Sequence, residues 1–204
     1  MDRRAFLIGA PLALSACGAQ EVWAPDDVVS RAITPGSSVK QLKLFTMKNV
    51  GSGNGAHSAL LIDASQRVIF DPAGSWKQQQ MPERNDVLFG ATQALEDYYI
   101  SFHARVTYYV VSQRTEVSPE VAEQALQLAL RAGPVAQANC TRVTSGLLQS
   151  LPGFESLRRT WFPNNLSDAF AKLPGVTTIE YREQDADDKS VAAREIAAAL
   201  KEGQ

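Results

Sequence analysis

The chain has 204 residues, 45% of them hydrophobic and 21% charged, a composition that suits one globular domain with a sizeable core. The formal net charge is -2 and neither sign dominates a long stretch, so the basic footprint of a nucleic-acid binder is missing. Past residue 16, no apolar run approaches the roughly 20 residues that a spanning helix needs.

In chain order, Arg3 and Arg4 precede an apolar run from Ala5 to Ala13, and Leu14-Ser15-Ala16-Cys17 follows. That tetrapeptide resembles the lipobox of bacterial lipoproteins, in which the Cys is acylated and becomes the first mature residue. The resemblance implies a signal peptide over 1–16, lipidation at Cys17, and a place in the bacterial cell envelope at the periplasmic face of the outer membrane. Arg3-Arg4-Ala5-Phe6-Leu7 is also similar to a twin-arginine signal, which would mean export in a folded state; an ordinary export signal is the other option. With Cys17 used in this way, Cys140 has no partner for an intramolecular disulfide in an oxidising compartment. It is either a buried inert thiol or a reactive one.

Residues 17–39, with Pro25, Pro35 and Gly36, read as a tether. Residues 40–204 are then the folded domain. Gln41 to Met47 alternates as a strand, and Asn49 to Ala56 is a loop with Gly51, Gly53 and Gly55. His57 to Ile62 and Arg67 to Asp71 form two strands around the turn residues Asp63-Ala64-Ser65. A turn centred on Ala64 would set His57 across from Asp71. Residues 72–84 are a polar loop with Trp76, Thr92 to Phe102 a short helix, and Arg105 to Ser112 a strand rich in β-branched and aromatic residues.

The clearest helix starts at Ser118, a capping residue, with Pro119 in the first turn and Gly133 just past its end. Cys140 opens the next helix, which Pro152-Gly153 ends. Asn165 to Leu173 is a short helix, Val176 to Arg182 a last strand, and Asp187 to Lys201 an Ala-rich charged helix. Helices and strands mix without a βαβ rhythm, so the expected class is α+β with a largely antiparallel sheet.

A Cys at a helix N-terminus meets unpaired backbone N–H groups and the positive end of the helix dipole, and both favour the thiolate. Its own N–H points where an oxyanion forms in acyl transfer. Such a thiol needs a base, usually His, oriented by a third polar group. The chain has two His. His57 begins a strand after a Gly-rich loop and is the candidate base, whereas His103, among Tyr98, Tyr99 and Phe102, reads as structural. Asp71 is the candidate third group, with a turn cap before Pro72 as its alternative role. Two His and one free Cys fall short of a metal cluster. Gly51, Gly53 and Gly55 lack the rest of a dinucleotide fingerprint, so no cofactor is expected.

His57 opening a strand, Asp71 ending the next, and Asn139-Cys140 opening a downstream helix together resemble the circularly permuted NlpC/P60 papain-like family. Lecithin:retinol acyltransferase-like proteins and several bacterial lipoproteins belong to that family. The resemblance covers about Leu42 to Leu151. It implies a papain-like fold and a Cys140–His57 dyad oriented by a polar residue at Asp71, where the family more often has His, Asn or Gln. The expected activity is a cysteine hydrolase working through a thioester, with an amide bond of peptidoglycan peptides as substrate. The alternatives are acyl-ester chemistry on lipids and a non-catalytic binding lipoprotein on the same scaffold.

Overall fold

The computed structural model describes residues 19–184 and 187–202, so the expected signal peptide over 1–16 and Cys17 lie outside the described residues. Seven strands form one sheet in the order β4-β5-β3-β2-β1-β6-β7, and every pairing is antiparallel. The strands are β1 (Gln41–Asn49), β2 (Gly55–Asp63), β3 (Arg67–Phe70), β4 (Glu83–Arg84), β5 (Val87–Phe89), β6 (Tyr108–Glu116) and β7 (Thr177–Tyr181). Six helices accompany them among the described residues: α1 (Asp26–Ala32), α2 (Gln93–His103), α3 (Pro119–Arg131), α4 (Cys140–Gln149), α5 (Pro163–Phe170) and α6 (Ser190–Glu202). The class is α+β, as the sequence leads one to expect.

Both faces of the sheet are covered. Leu42, Leu44, Leu60, Ile62, Val68 and Phe70 point to one side, where α1, α3, α4 and α5 pack. The alternate residues Phe45, Met47, Ala59, Leu61 and Ile69 meet α2, α6 and the buried Trp76 on the other. Double coverage explains why Ala59-Leu60-Leu61-Ile62 is uniformly apolar rather than alternating, each residue being fully buried. A buried charge cluster fixes α2 to the sheet: Arg67 donates to Asp63 (2.9 Å), Glu96 (2.7 Å) and the carbonyl of Ala91 (2.7 Å), and Lys43 pairs with Glu96. Mutual pairing is what makes such burial of charge tolerable.

Several expectations need correction. Residues 19–39 are not a bare tether. They carry α1, whose Val29 is buried in the core, and Trp23 and Pro35 form isolated bridges to Arg84 and Gln66. Their Pro and polar content hid a stretch held by hydrogen bonds to β3 and β4. The strand expected over 105–112 runs from Tyr108 to Glu116, because it pairs along the full length of β1, and Arg105 to Tyr108 is a turn. The region after residue 72 holds the short pair β4–β5 around a tight turn in which Asn85 and Asp86 both have positive φ (42° and 66°). The helix predicted from Ser118 is found as α3, with the Ser118 side chain accepting from the N–H of Val121 (3.3 Å).

Candidate active site

The hairpin β2–β3 places the first two groups. Its register pairs Leu60 with Phe70 and Asp63 with Arg67, so the turn centres on Ser65 rather than Ala64. His57 and Asp71 are therefore not directly opposed. A one-residue move of the turn centre shifts pairing by two positions, which keeps both side chains on the same face as diagonal neighbours. His57 Nε2 lies 2.6 Å from Asp71 Oδ1. Beside His57, β2 carries a bulge: Met47 pairs with His57, but Lys48 pairs with Gly55, leaving Ala56 as the extra residue. Bulges of this kind re-aim a neighbouring side chain.

Cys140 is the first residue of α4, which packs on the opposite face of the sheet. Thr141 anchors that end of α4 through its hydroxyl, 3.0 Å from that of Ser58 in β2, the residue after His57. This contact brings Cys140 to the imidazole across a sequence separation of more than eighty residues. The sulfur lies close enough to the His57 imidazole for each group to shift the other's protonation, and Thr141 Oγ1 is 3.7 Å from it. The N-cap side chain of Asn139 does not cap the helix but donates to the carbonyl of Gln137 (3.1 Å), so the first-turn N–H groups are left without a side-chain acceptor. The residue before it, Ala138, has φ 64°, a conformation strained for a residue with a Cβ.

The charges follow from this packing. Burial alone would drive His57 down. Its bonds to Asp71 and Cys140 outweigh that and raise it to about 10. Burial likewise pushes the Cys140 thiol up, but the His57 bond and charge prevail and bring it to about 7. Asp71 is buried, which would raise it, yet His57 and the hydroxyl of Tyr99 (2.9 Å) hold it below the usual carboxylate range. Near neutral pH the site is a thiolate–imidazolium pair backed by a carboxylate. Such a set can attack a carbonyl, collect the developing oxyanion at the helix N-terminus and protonate a leaving group.

A cavity of about 340 Å³ opens beside the imidazole, lined by His57, Asp71, Ala73, Gly74, Phe102 and His103 among others. Cys140 is not one of its walls; the residue keeps 8% exposure. His103 donates from Nδ1 to the carbonyl of Tyr99 (2.7 Å) and is depressed by burial to about 4, so it is a neutral wall of the cavity. Among the described residues no group of His, Cys, Asp and Glu could hold a metal ion.

Two residues of the site escape a sequence reading. Gly74 closes a turn on the Asp71 carbonyl (2.9 Å), and a Cβ there would overlap the Asp71 carboxylate. Gly74→Ala is therefore expected to push Asp71 off the imidazole. Alkylation of Cys140 near neutral pH should slow several-fold in a variant that still folds, which a rate assay beside a thermal melt would check.

Asp86, in the β4–β5 turn, joins the two loops that carry the site. Its carboxylate accepts from the N–H of Val135 (2.7 Å), in the segment leading to Cys140, and from that of Ala73 (3.3 Å), just past Asp71. Its carbonyl accepts from the N–H of Asp71 (2.8 Å). Burial is the main reason that Asp86 is raised to about 6, against the pull of the Val135 N–H. Asp86 thus protonates just below Cys140. Loss of the Asp86 charge weakens its hold on both loops, so Cys140 alkylation should fall more steeply on acidification in the parent chain than in Asp86→Asn. An unchanged slope would remove Asp86 from the site. The sequence signal, Asn85-Asp86 between Glu83-Arg84 and the apolar Val87-Leu88-Phe89, marks only a turn.

No family model, no curated protein and no solved structure matches this chain.

Proposed function

We propose that the chain is a thiol hydrolase of the cell envelope, acting through a thioester on Cys140. The observation that supports this best is the His57–Asp71 hydrogen bond beside Cys140, whose protonation His57 shifts, with the thiol at an uncapped helix N-terminus. The order His, Asp, Cys along the chain, with the Cys helix packed on an antiparallel sheet, agrees with a permuted NlpC/P60 papain-like scaffold. The substrate class we favour is the amide bond of peptidoglycan peptides, which a protein lipidated at Cys17 would meet at the envelope.

The thiolate adds to the carbonyl carbon, and the oxyanion is held by first-turn N–H groups of α4. The His57 imidazolium then gives its proton to the leaving amine as the C–N bond breaks, which leaves a thioester. His57, now neutral, takes a proton from water, and hydroxide attack frees the acid and restores the thiolate. Asp71 keeps the ring oriented and stabilises its charged form.

Acyl-ester hydrolysis or transfer on lipids uses the same groups, and the exposed Trp161 and Phe162 just before α5 favour it as the second reading. The test is incubation with defined muropeptides and with fatty-acyl esters, followed by intact-mass analysis. A muropeptide acyl adduct on Cys140, absent in Cys140→Ser, is the expected result, and an adduct formed only from fatty-acyl esters selects the second reading. If neither forms and Cys140 alkylates only after denaturation, a non-catalytic binding role replaces both.

A further inference from the structure

The end of the sheet that carries the candidate site is unlike the rest of the surface. Trp161 and Phe162, just before α5, are 54% and 65% exposed, and Val50 in the β1–β2 loop is 48% exposed. The two segments are joined, since Asn164 donates to the carbonyl of Gly53 (3.0 Å). Large apolar side chains clustered in this way cost free energy in water unless something covers them.

The charges around them lean positive. The chain as a whole has net charge -2, yet residues 132–170 contain Arg142, Arg158 and Arg159 against Glu155 and Asp168, residues 48–62 contain Lys48 and no acid, and Asp187 beside the Val50 loop accepts from the N–H of Thr107 (3.3 Å). Glu155 is occupied at the far end of α4, accepting from the N–H of Gly153 (3.0 Å). Among the described residues, Arg142, Arg158 and Arg159 form no ion pair. Arg142 lies two residues after Cys140 and sets its guanidinium 5.0 Å from the centre of the Trp161 ring, while Arg159 donates to the Arg142 carbonyl (3.3 Å).

We infer that this end of the molecule docks on an anionic phospholipid surface, with Trp161 and Phe162 entering the interfacial layer and the three arginines meeting lipid phosphates. Exposed Trp and Phe beside unpaired Arg are the side chains that favour the headgroup boundary, and each cation near an anionic leaflet adds to the attraction. A sugar chain is the weaker match, because Arg142 already covers a face of the Trp161 ring and Phe162 offers no polar group. Docked in this way, the N-terminus of α4 faces the bilayer, so scissile bonds close to the membrane come within reach of Cys140.

The test is co-flotation of the mature chain from residue 17, made as Cys17→Ser so that neither the signal segment nor an acyl chain contributes, with phosphatidylcholine vesicles with and without phosphatidylglycerol. Binding is expected to be stronger with phosphatidylglycerol, to weaken with salt, and to fall at least about ten-fold in Trp161→Ser/Phe162→Ser and in Arg142→Gln/Arg158→Gln/Arg159→Gln. Thermal melts identify any variant that fails to fold, and the single change Phe162→Ser, at a mostly exposed position, then carries the test. Equal flotation of parent and variants overturns the proposal, as does retention by muropeptide-bearing sacculi with no vesicle binding. Cys140→Ser should float like the parent, so this result is independent of whether the thiol is a catalyst.

Discussion

His57→Ala is expected to move the midpoint of Cys140 alkylation from about 7 to above the 9.0 of an unperturbed thiol. In the parent chain burial opposes ionisation of the sulfur, and His57 supplies the largest opposing pull, so removing the ring leaves burial in command. At pH 7 the thiolate fraction would drop about fifty-fold. A thiolate of higher pKa is intrinsically the better nucleophile by about eight-fold over two units, so the net loss in alkylation rate is about six-fold. Hydrolysis loses its proton shuttle as well and should fall by about 10²–10⁴. The rate profile of the parent should rise through pH 7, hold a plateau, and change again near 10, where the imidazolium deprotonates. A profile with one rise near 9 in both proteins would mean that the pair does not form.

The same pair leaves a mark on stability. His57 has its folded value raised from 6.5 to about 10, so its contribution is complete below 6.5 and is lost as pH climbs toward 10. Asp71 is lowered from 3.8, so its contribution is present above that value and is lost on acidification. The melting difference between the parent and His57→Ala should accordingly be widest between about pH 4 and 6.5.

The sequence made these groups visible because each obeys a local rule. A Cys opening a periodic apolar run, a His at the start of a strand and an Asp before Pro72 can all be read from nearest neighbours. So can α3, whose Ser118-Pro119 start and Gly133 stop are written in consecutive residues. The parts that stayed hidden depend on contacts far along the chain. Residues 19–39 look like a linker until β3 and β4 supply partners for Pro35 and Trp23. Asp86 becomes a joint only when residues 73 and 135 meet it, and Gly74 is needed only because the Asp71 carboxylate occupies the space of its missing side chain. The hairpin register shows a milder form of the same limit. Turn composition located the bend to within one residue, and side-chain parity survived the difference, so the His57–Asp71 contact was recoverable even though the pairing was not.

Asp71→Asn and Asp71→Ala are expected to separate what the carboxylate does by charge from what it does by position. Both donors, His57 Nε2–H and the Tyr99 hydroxyl, converge on the same oxygen, Oδ1. An Asn carbonyl can accept both, so Asp71→Asn keeps the ring orientation and the Nε2–H tautomer while removing the negative charge. The imidazolium is then less favoured, His57 drops from about 10, and the Cys140 midpoint climbs from about 7. Hydrolysis should fall by about 10²-fold, with much of the loss recovered on raising the pH. Asp71→Ala removes the acceptor too. It leaves the Tyr99 hydroxyl buried without a partner and frees the ring to rotate away from the sulfur, so its turnover should approach that of His57→Ala and should not recover at any pH. Equal losses in the two variants would assign Asp71 to charge alone, an active Asp71→Asn beside an inactive Asp71→Ala would assign it to orientation alone, and full activity in Asp71→Ala would reduce it to the turn cap that its place before Pro72 also allows.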